Sequence, residues 1–120
     1  MIILKEVLFK SNHISRRLVF GIAETEEEKR EVFGMRFRVY SNRGYIDSSK
    51  YHFGIEMDEY DKYVETKYFI VIIFQDGERK MIGCSRLIFT NPLPTQIDFS
   101  FKEPELIKSI PINNRFEIGR

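Results

Sequence analysis

The sequence has no tryptophan, one cysteine and two histidines, and each shortage closes a line of interpretation. A lone thiol, Cys84, rules out an intramolecular disulfide framework and points to a reducing compartment. His13 and His52 stand far apart, and no metal-ligand spacing accompanies them. The formal net charge is only +1, without the basic excess that marks most nucleic-acid binders. No apolar run reaches the length of a membrane span; the longest, Tyr68 to Phe74, suits a buried strand. The opening MIILKEVLF is interrupted by Lys5 and Glu6, and no small-residue cleavage site follows, so it does not read as a signal peptide. The expectation is a soluble cytoplasmic protein with no nucleic-acid partner and no membrane span.

What is present describes one folded unit. A length of 120 residues allows a single domain, 1–120, with one core. Hydrophobic residues at 42% and charged residues at 31% exclude wholesale disorder. Eleven Phe and six Tyr supply either a well-filled core or an apolar ligand pocket.

The chain carries no internal repeat and no low-complexity linker. Ser11–Arg17 is polar and reads as a loop, and Leu18–Ala23 as a short strand. Thr25 with Glu28 forms the pattern of a capping box, and Glu24 and Glu26 to Glu28 complement the dipole of the helix that follows. That helix is predicted over Glu26–Ser41, ending near Asn42-Arg43-Gly44. Gly44 to Tyr63 has no clear period and several aromatics, which suits a functional loop. Tyr68–Phe74 reads as a central strand, Asp76-Gly77 as a turn, and Met81–Phe89 as the returning strand of a hairpin. Glu103–Ser109 reads as a short helix with Pro104 in its first turn. Phe116–Arg120 reads as the start of another strand. The order predicts an α+β fold with a mostly antiparallel sheet and flanking helices.

Four features look chemical. On the first helix, Val32, Met35 and Val39 form one stripe and Phe33, Phe37 and Tyr40 the next. Arg36 projects between these stripes, whereas Arg38 points to the polar side. A charge on a buried face needs a partner. Arg36 therefore either reaches an anionic ligand or makes a structural salt bridge under the long loop. Glu56-Met57-Asp58-Glu59-Tyr60-Asp61 packs four carboxylates into six residues. This cluster is either a solvated acidic turn or an acid group that holds a cationic substrate or pairs with buried arginines. It lacks the ligand spacing of a calcium loop. On the strand Met81–Phe89, alternation puts Ile82, Cys84, Arg86 and Ile88 on one face, again with an arginine in an apolar row. Cys84 itself reads as a small core residue rather than a nucleophile. The last feature is Glu117-Ile-Gly-Arg120, a short Glu-x-x-Arg.

Taken in order, Arg36-Phe-Arg-Val-Tyr40, Arg43-Gly44-Tyr45, Glu56-Met-Asp58-Glu-Tyr-Asp61, Gly83-Cys-Ser-Arg86-Leu87 and Glu117-Ile-Gly-Arg120 resemble a known pattern. It is that of the acyl-homoserine-lactone (autoinducer) synthases. Their relatives, the N-acyl amino acid synthases and other GNAT-type acyltransferases, are similar as well. The resemblance covers Val32 to Arg120. It implies transfer of an acyl chain from an acyl-carrier-protein or CoA thioester to an amine. In autoinducer synthases that amine belongs to S-adenosylmethionine, and lactone closure expels methylthioadenosine. S-adenosylmethionine and the acyl thioester are substrates, and no tightly bound cofactor is implied. Carried over, Glu117 and Asp58 are the catalytic candidates, with Glu117 first as the base that deprotonates the attacking ammonium. Arg36, Tyr40, Tyr45, Asp61, Arg86 and Arg120 are the substrate-binding candidates. Asp58 and Asp61 either hold the cationic donor or lock Arg36 and Arg86 in place; Arg36 alternatively meets the donor's carboxylate as a fork. Tyr40 stands where the family usually has Phe, and Tyr45 where it usually has Trp. The second substitution keeps a free amino acid open as the acceptor.

The resemblance further implies the N-terminal portion of a GNAT-like fold, in which the thioester docks between two splayed strands. The first begins near Glu-x-x-Arg, where this sequence stops. The expectation is a truncated domain, or half of a split protein or oligomer, with an uncovered apolar face and little activity alone. A non-catalytic remnant that keeps the arginine–acid network only for folding is the remaining alternative.

Overall fold

Two tight turns set the frame of the sheet. Asn12 and His13 take φ of 51° and 63°, and Asp76 and Gly77 take 52° and 79°. Positive φ at both central residues gives a turn whose twist matches that of the flanking strands. The first turn joins β1 (Ile2–Ser11) to β2 (Ile14–Ile22), with Ser11 opposite Ile14. The second joins β3 (Lys67–Gln75) to β4 (Glu78–Ile88), with Gln75 opposite Glu78. The structure is a computed structural model and describes residues 1–97 and 104–119.

The first hairpin corrects the reading of Ser11–Arg17 as a loop. Only Asn12 and His13 turn; Ser15, Arg16 and Arg17 are strand residues. Their polarity misled because long arginine stems can lie on apolar neighbours. Arg17 lies over the Phe74 ring at 4.3 Å and Arg16 over Phe9 at 6.0 Å.

Between the hairpins runs α1 (Glu26–Asn42), one residue longer than predicted. Thr25 caps it as expected. Its hydroxyl accepts from the Glu28 N–H at 3.1 Å, and the Glu28 carboxylate accepts from the Thr25 N–H at 3.1 Å. Three acids in the first turn complement the dipole. The helix buries Val32, Phe33 and Arg36. Val39 departs from its expected stripe and is exposed.

The strands form one open antiparallel sheet in the order β1-β2-β3-β4-β5, where β5 is Glu117–Gly119. Residues Val19 of β2, Tyr68, Ile70 and Ile72 of β3 and Met81 of β4 face α1 and make the core with Val32 and Phe33. Burying a side chain such as Ile70 or Ile72 contributes about 1.5–3 kcal/mol. Two further helices are short: α2 (Pro94–Ile97) and α3 (Pro104–Ser109). Glu103, expected at the start of α3, lies outside the described residues.

The expected row Ile82, Cys84, Arg86, Ile88 is broken at its first member. Val71 pairs with Gly83, but Ile72 pairs with Met81. Ile82 is the extra residue of a bulge, which shifts the alternation by one. Met81 is therefore buried and Ile82 exposed, while Arg86 and Ile88 stay on the core side. Among the described residues, no helix is long and apolar enough to cross a membrane.

Candidate functional site

The acidic cluster between α1 and β3 folds by capping itself. Asp58 begins a single 3-10 turn, Glu59–Lys62. Its carboxylate accepts from the Tyr60 N–H at 2.9 Å, and Asp61 returns the arrangement by accepting from the Asp58 N–H at 2.8 Å. A short polar side chain that bonds nearby backbone is well suited to such a turn. The Thr66 hydroxyl donates to the Tyr60 carbonyl at 2.7 Å and closes the segment behind it. Upstream, the Glu56 N–H donates to the Phe33 carbonyl at 3.1 Å and fastens the loop to α1.

Into this turn reach the two anomalous arginines. Arg36, from α1, donates from Nε to Glu56 at 2.8 Å, and from Nη1 and Nη2 to the two oxygens of Asp61 at 2.9 and 3.0 Å. Arg86, from β4, holds both oxygens of Asp58 at 2.7 and 2.9 Å and also donates to Asp61 Oδ1 at 2.8 Å. The Tyr68 hydroxyl, from β3, adds a fifth donor to Asp61 at 2.9 Å. Arg36, Arg86 and Asp61 have side chains that are 2%, 3% and 0% exposed, while Asp58 retains 24%. The lattice thus opens to solvent on the Asp58 side.

The electrostatics follow from this geometry. Burial pushes the Asp61 carboxyl upward, but hydrogen bonds from Arg36, the Asp58 N–H and Arg86 outweigh it and bring the pKa down to about 2. Burial works to lower both arginines, and the carboxylates they hold raise them instead. The Tyr68 phenol is pushed up, first by burial and then by the Asp61 charge. Both guanidinium groups stay charged, and so does Asp61. Bidentate geometry and charge make these the strong class of hydrogen bond. On Arg86, Nε is buried without a partner among the described residues.

Glu117 lies beside the lattice. It pairs with Ile88 across the β4–β5 ladder, two positions from Arg86. One carboxylate oxygen accepts from the Thr95 N–H at 2.8 Å and from its hydroxyl at 2.5 Å. A hollow of ≈ 410 Å³ opens there, with Leu93, Ile107, Ile110 and Phe116 as its apolar wall. Tyr60 links the two regions. Its ring lies 5.9 Å from the Arg86 guanidinium, and its phenol is raised by burial and then by the charges of Glu59, Glu117 and Asp58.

The structure therefore brings Arg36, Asp58, Asp61 and Arg86 into one cluster, with Glu117 next to it. Tyr40 and Tyr45 stand at the C-terminal end of α1, their ring centroids 6.1 Å apart, and the Tyr45 N–H donates to the Tyr40 carbonyl at 2.9 Å. The Tyr45 ring is largely exposed. Arg120 lies outside the described residues. Cys84 is a half-buried residue packed against the core, with its thiol pushed up chiefly by burial. Glu56 meets Arg36 as a member of the acidic cluster expected to pair with buried arginines, although it was not among the site candidates, and sequence reasoning missed Tyr68. The signal for Tyr68 is its place in the alternation with Ile70 and Ile72, which puts a hydroxyl on a buried face.

Comparison of the chain with protein-family models, with curated proteins and with solved structures gives no match in any of the three.

Proposed function

We propose that this chain is an N-acyltransferase of the GNAT-like type, resembling the acyl-homoserine-lactone synthases. It moves an acyl chain from a carrier-protein or CoA thioester to a small-molecule amine, with S-adenosylmethionine as the acceptor in the autoinducer case. The observation that carries this reading is the meeting of Arg36, Asp58, Asp61 and Arg86, residues up to 50 positions apart, in one buried lattice with Glu117 beside it.

In this reading the lattice positions and Glu117 reacts. Arg36 and Asp61 saturate one another and their neighbours, so their role is to hold the loop against α1 and the sheet. Glu117, at an apolar hollow, accepts the proton of the incoming ammonium. The freed nitrogen attacks the thioester carbonyl, an amide bond forms, and the carrier's thiol leaves with a proton. Asp58, the most exposed member of the lattice, offers negative charge to a cationic amine acceptor.

A free amino acid as acceptor is the second reading, supported by the Tyr45 ring at the place of the family's Trp. The internal saturation of the lattice supports the third, a non-catalytic domain. Incubating the full-length protein with acyl-carrier-protein or acyl-CoA thioester and either S-adenosylmethionine or amino acids separates them by product mass. An acyl-homoserine lactone is the expected product, and an acyl amino acid would select the second reading. Free thiol release without any acylated amine, or no reaction with any acceptor, would overturn the acyltransferase reading.

A further inference from the structure

The edge of the sheet carries an arrangement that the acyltransferase reading does not use. Among the described residues β1 is the outermost strand and pairs only with β2, and all ten of its residues are exposed. A long exposed edge is a template for another strand, and proteins usually blunt it. Here the edge is apolar, with Leu8 77% exposed, and its charges are placed in a self-complementary way.

The hairpin turn decides which backbone groups are free. In a two-residue hairpin the residues flanking the turn exchange both hydrogen bonds, and the pattern alternates from there. Ser11, Phe9, Val7 and Lys5 thus aim their N–H and C=O groups at β2. Lys10, Leu8 and Glu6 aim theirs outward.

We infer that two copies of this chain pair antiparallel through β1, about a two-fold axis at Leu8, into one continuous sheet. A two-fold perpendicular to a sheet keeps each residue on its own face. Centred on Leu8, it sets Leu8 against its partner equivalent, Val7 against Phe9, and Glu6 against Lys10, each of the last two pairs occurring twice. Every outward-pointing N–H and C=O group of Glu6, Leu8 and Lys10 then finds a partner. Apolar residues meet apolar ones, and each acid meets a base.

Neighbouring registers lack this match. Centring on Glu6 sets two like carboxylates face to face. Centring on Val7 sets Glu6 against Leu8 and Lys5 against Phe9. Centring on Phe9 sets Lys10 against Leu8. The irregularity between Ile3 and Lys5 lies beyond the matched segment and ends the regular ladder there. Val7 and Phe9 lie on the same face as Leu18 and Phe20 of β2, so the pairing continues an apolar surface from one copy to the other. Glu6 also lies 3.8 Å from Arg17 within its own hairpin, a half-exposed contact that leaves its carboxylate accessible.

Sedimentation equilibrium of the full chain tests this. The expected result is a reversible dimer. Reversing one charge, as Glu6→Lys or Lys10→Glu, creates two like-charge pairs by symmetry and weakens the dimer by about tenfold or more. Combining Glu6→Lys with Lys10→Glu restores it, which a merely local effect on the hairpin would not do. Leu8→Pro removes an outward N–H that an edge strand does not need for folding, and abolishes dimerisation. Circular dichroism and thermal melting establish that each variant is folded. Should Leu8→Pro not fold, the charge series decides alone. A monomer up to millimolar concentration would overturn the inference. So would assemblies larger than a dimer, a dimer that survives folded Leu8→Pro, or a folded double variant that does not recover.

Discussion

Arg86 holds Asp58 as a fork, with Nη1 at 2.7 Å from Oδ1 and Nη2 at 2.9 Å from Oδ2, and the same Nη1 reaches on to Asp61 at 2.8 Å. One arginine on a sheet strand thereby fixes both ends of the single turn that begins at Asp58. Arg36 fixes it from the helix side. The loop between α1 and β3 is placed by these contacts together with Ile55, which packs against the core, and Tyr51, whose ring centroid lies 6.3 Å from that of Phe37.

The most damaging single change in the lattice is Asp61→Asn. It leaves the size of the side chain unchanged but removes the charge that Arg36 and Arg86 share. Stripping a buried ion group of one partner typically costs about 3–5 kcal/mol, because the remaining charge stays buried without compensation. Urea denaturation followed by circular dichroism measures this loss. Tyr68→Phe removes only one donor from Asp61 and is expected to cost about 1 kcal/mol. Equal losses in the two variants would mean that the Asp61 charge carries no weight.

Acid stability follows from the same carboxylate. Asp61 has a folded pKa of about 2 against an ordinary value of 3.8. A depressed pKa means that the folded state binds this proton more weakly than the unfolded chain does. The contribution is present above pH 3.8 and is lost as pH falls through about 2. Its size is about 2 kcal/mol. Melting temperatures of the wild type and Asp61→Asn, compared across this window, isolate it: the wild type falls steeply and the variant flattens.

Much of this lattice was legible as a problem rather than as a solution. Arg36 and Arg86 stand out because each interrupts an apolar row, one by helix period and one by strand alternation. The clustered acids near Asp58 supplied candidate partners. Which acid meets which base was not readable, because the connecting segment has no period and is ordered by side-chain caps. Strand β4 shows a second limit. Alternation fails wherever a bulge inserts a residue, and the sign of one here was the adjacent Gly83, an isolated glycine within a strand pattern. The α+β class and its antiparallel hairpin were legible from β-branched runs around Asp76-Gly77. The hairpin at Asn12-His13 was not, because its arginines are amphipathic and were weighed only as charges.

Cys84 offers a check on the core-residue assignment. Burial pushes its thiol up, and the Arg36 charge opposes this more weakly. A thiol held in its protonated form is a poor nucleophile. Its reaction with an aromatic disulfide reagent at neutral pH is expected to be at least about tenfold slower in the folded chain than in urea. Equal rates in the two conditions would show the sulfur to be open to solvent and its deprotonation unhindered.

Glu117→Gln separates the chemical role of this residue from its structural one. The carboxylate accepts two hydrogen bonds from Thr95, so it caps the first turn of α2 whatever else it does. Gln can still accept through its carbonyl, and the stability loss is expected to stay near 1 kcal/mol. A general base contributes about 10²–10⁴-fold, so acyl transfer by Glu117→Gln should fall by at least the lower figure across the whole pH range. Thr95→Val gives the contrast. It removes the hydroxyl donor and leaves the backbone N–H of residue 95 on the carboxylate, so it should shift the pH dependence of turnover while leaving most of the rate. If Glu117→Gln loses stability but keeps its turnover per folded molecule, Glu117 is a cap alone, and the base must be sought at the exposed edge of the lattice, on Asp58.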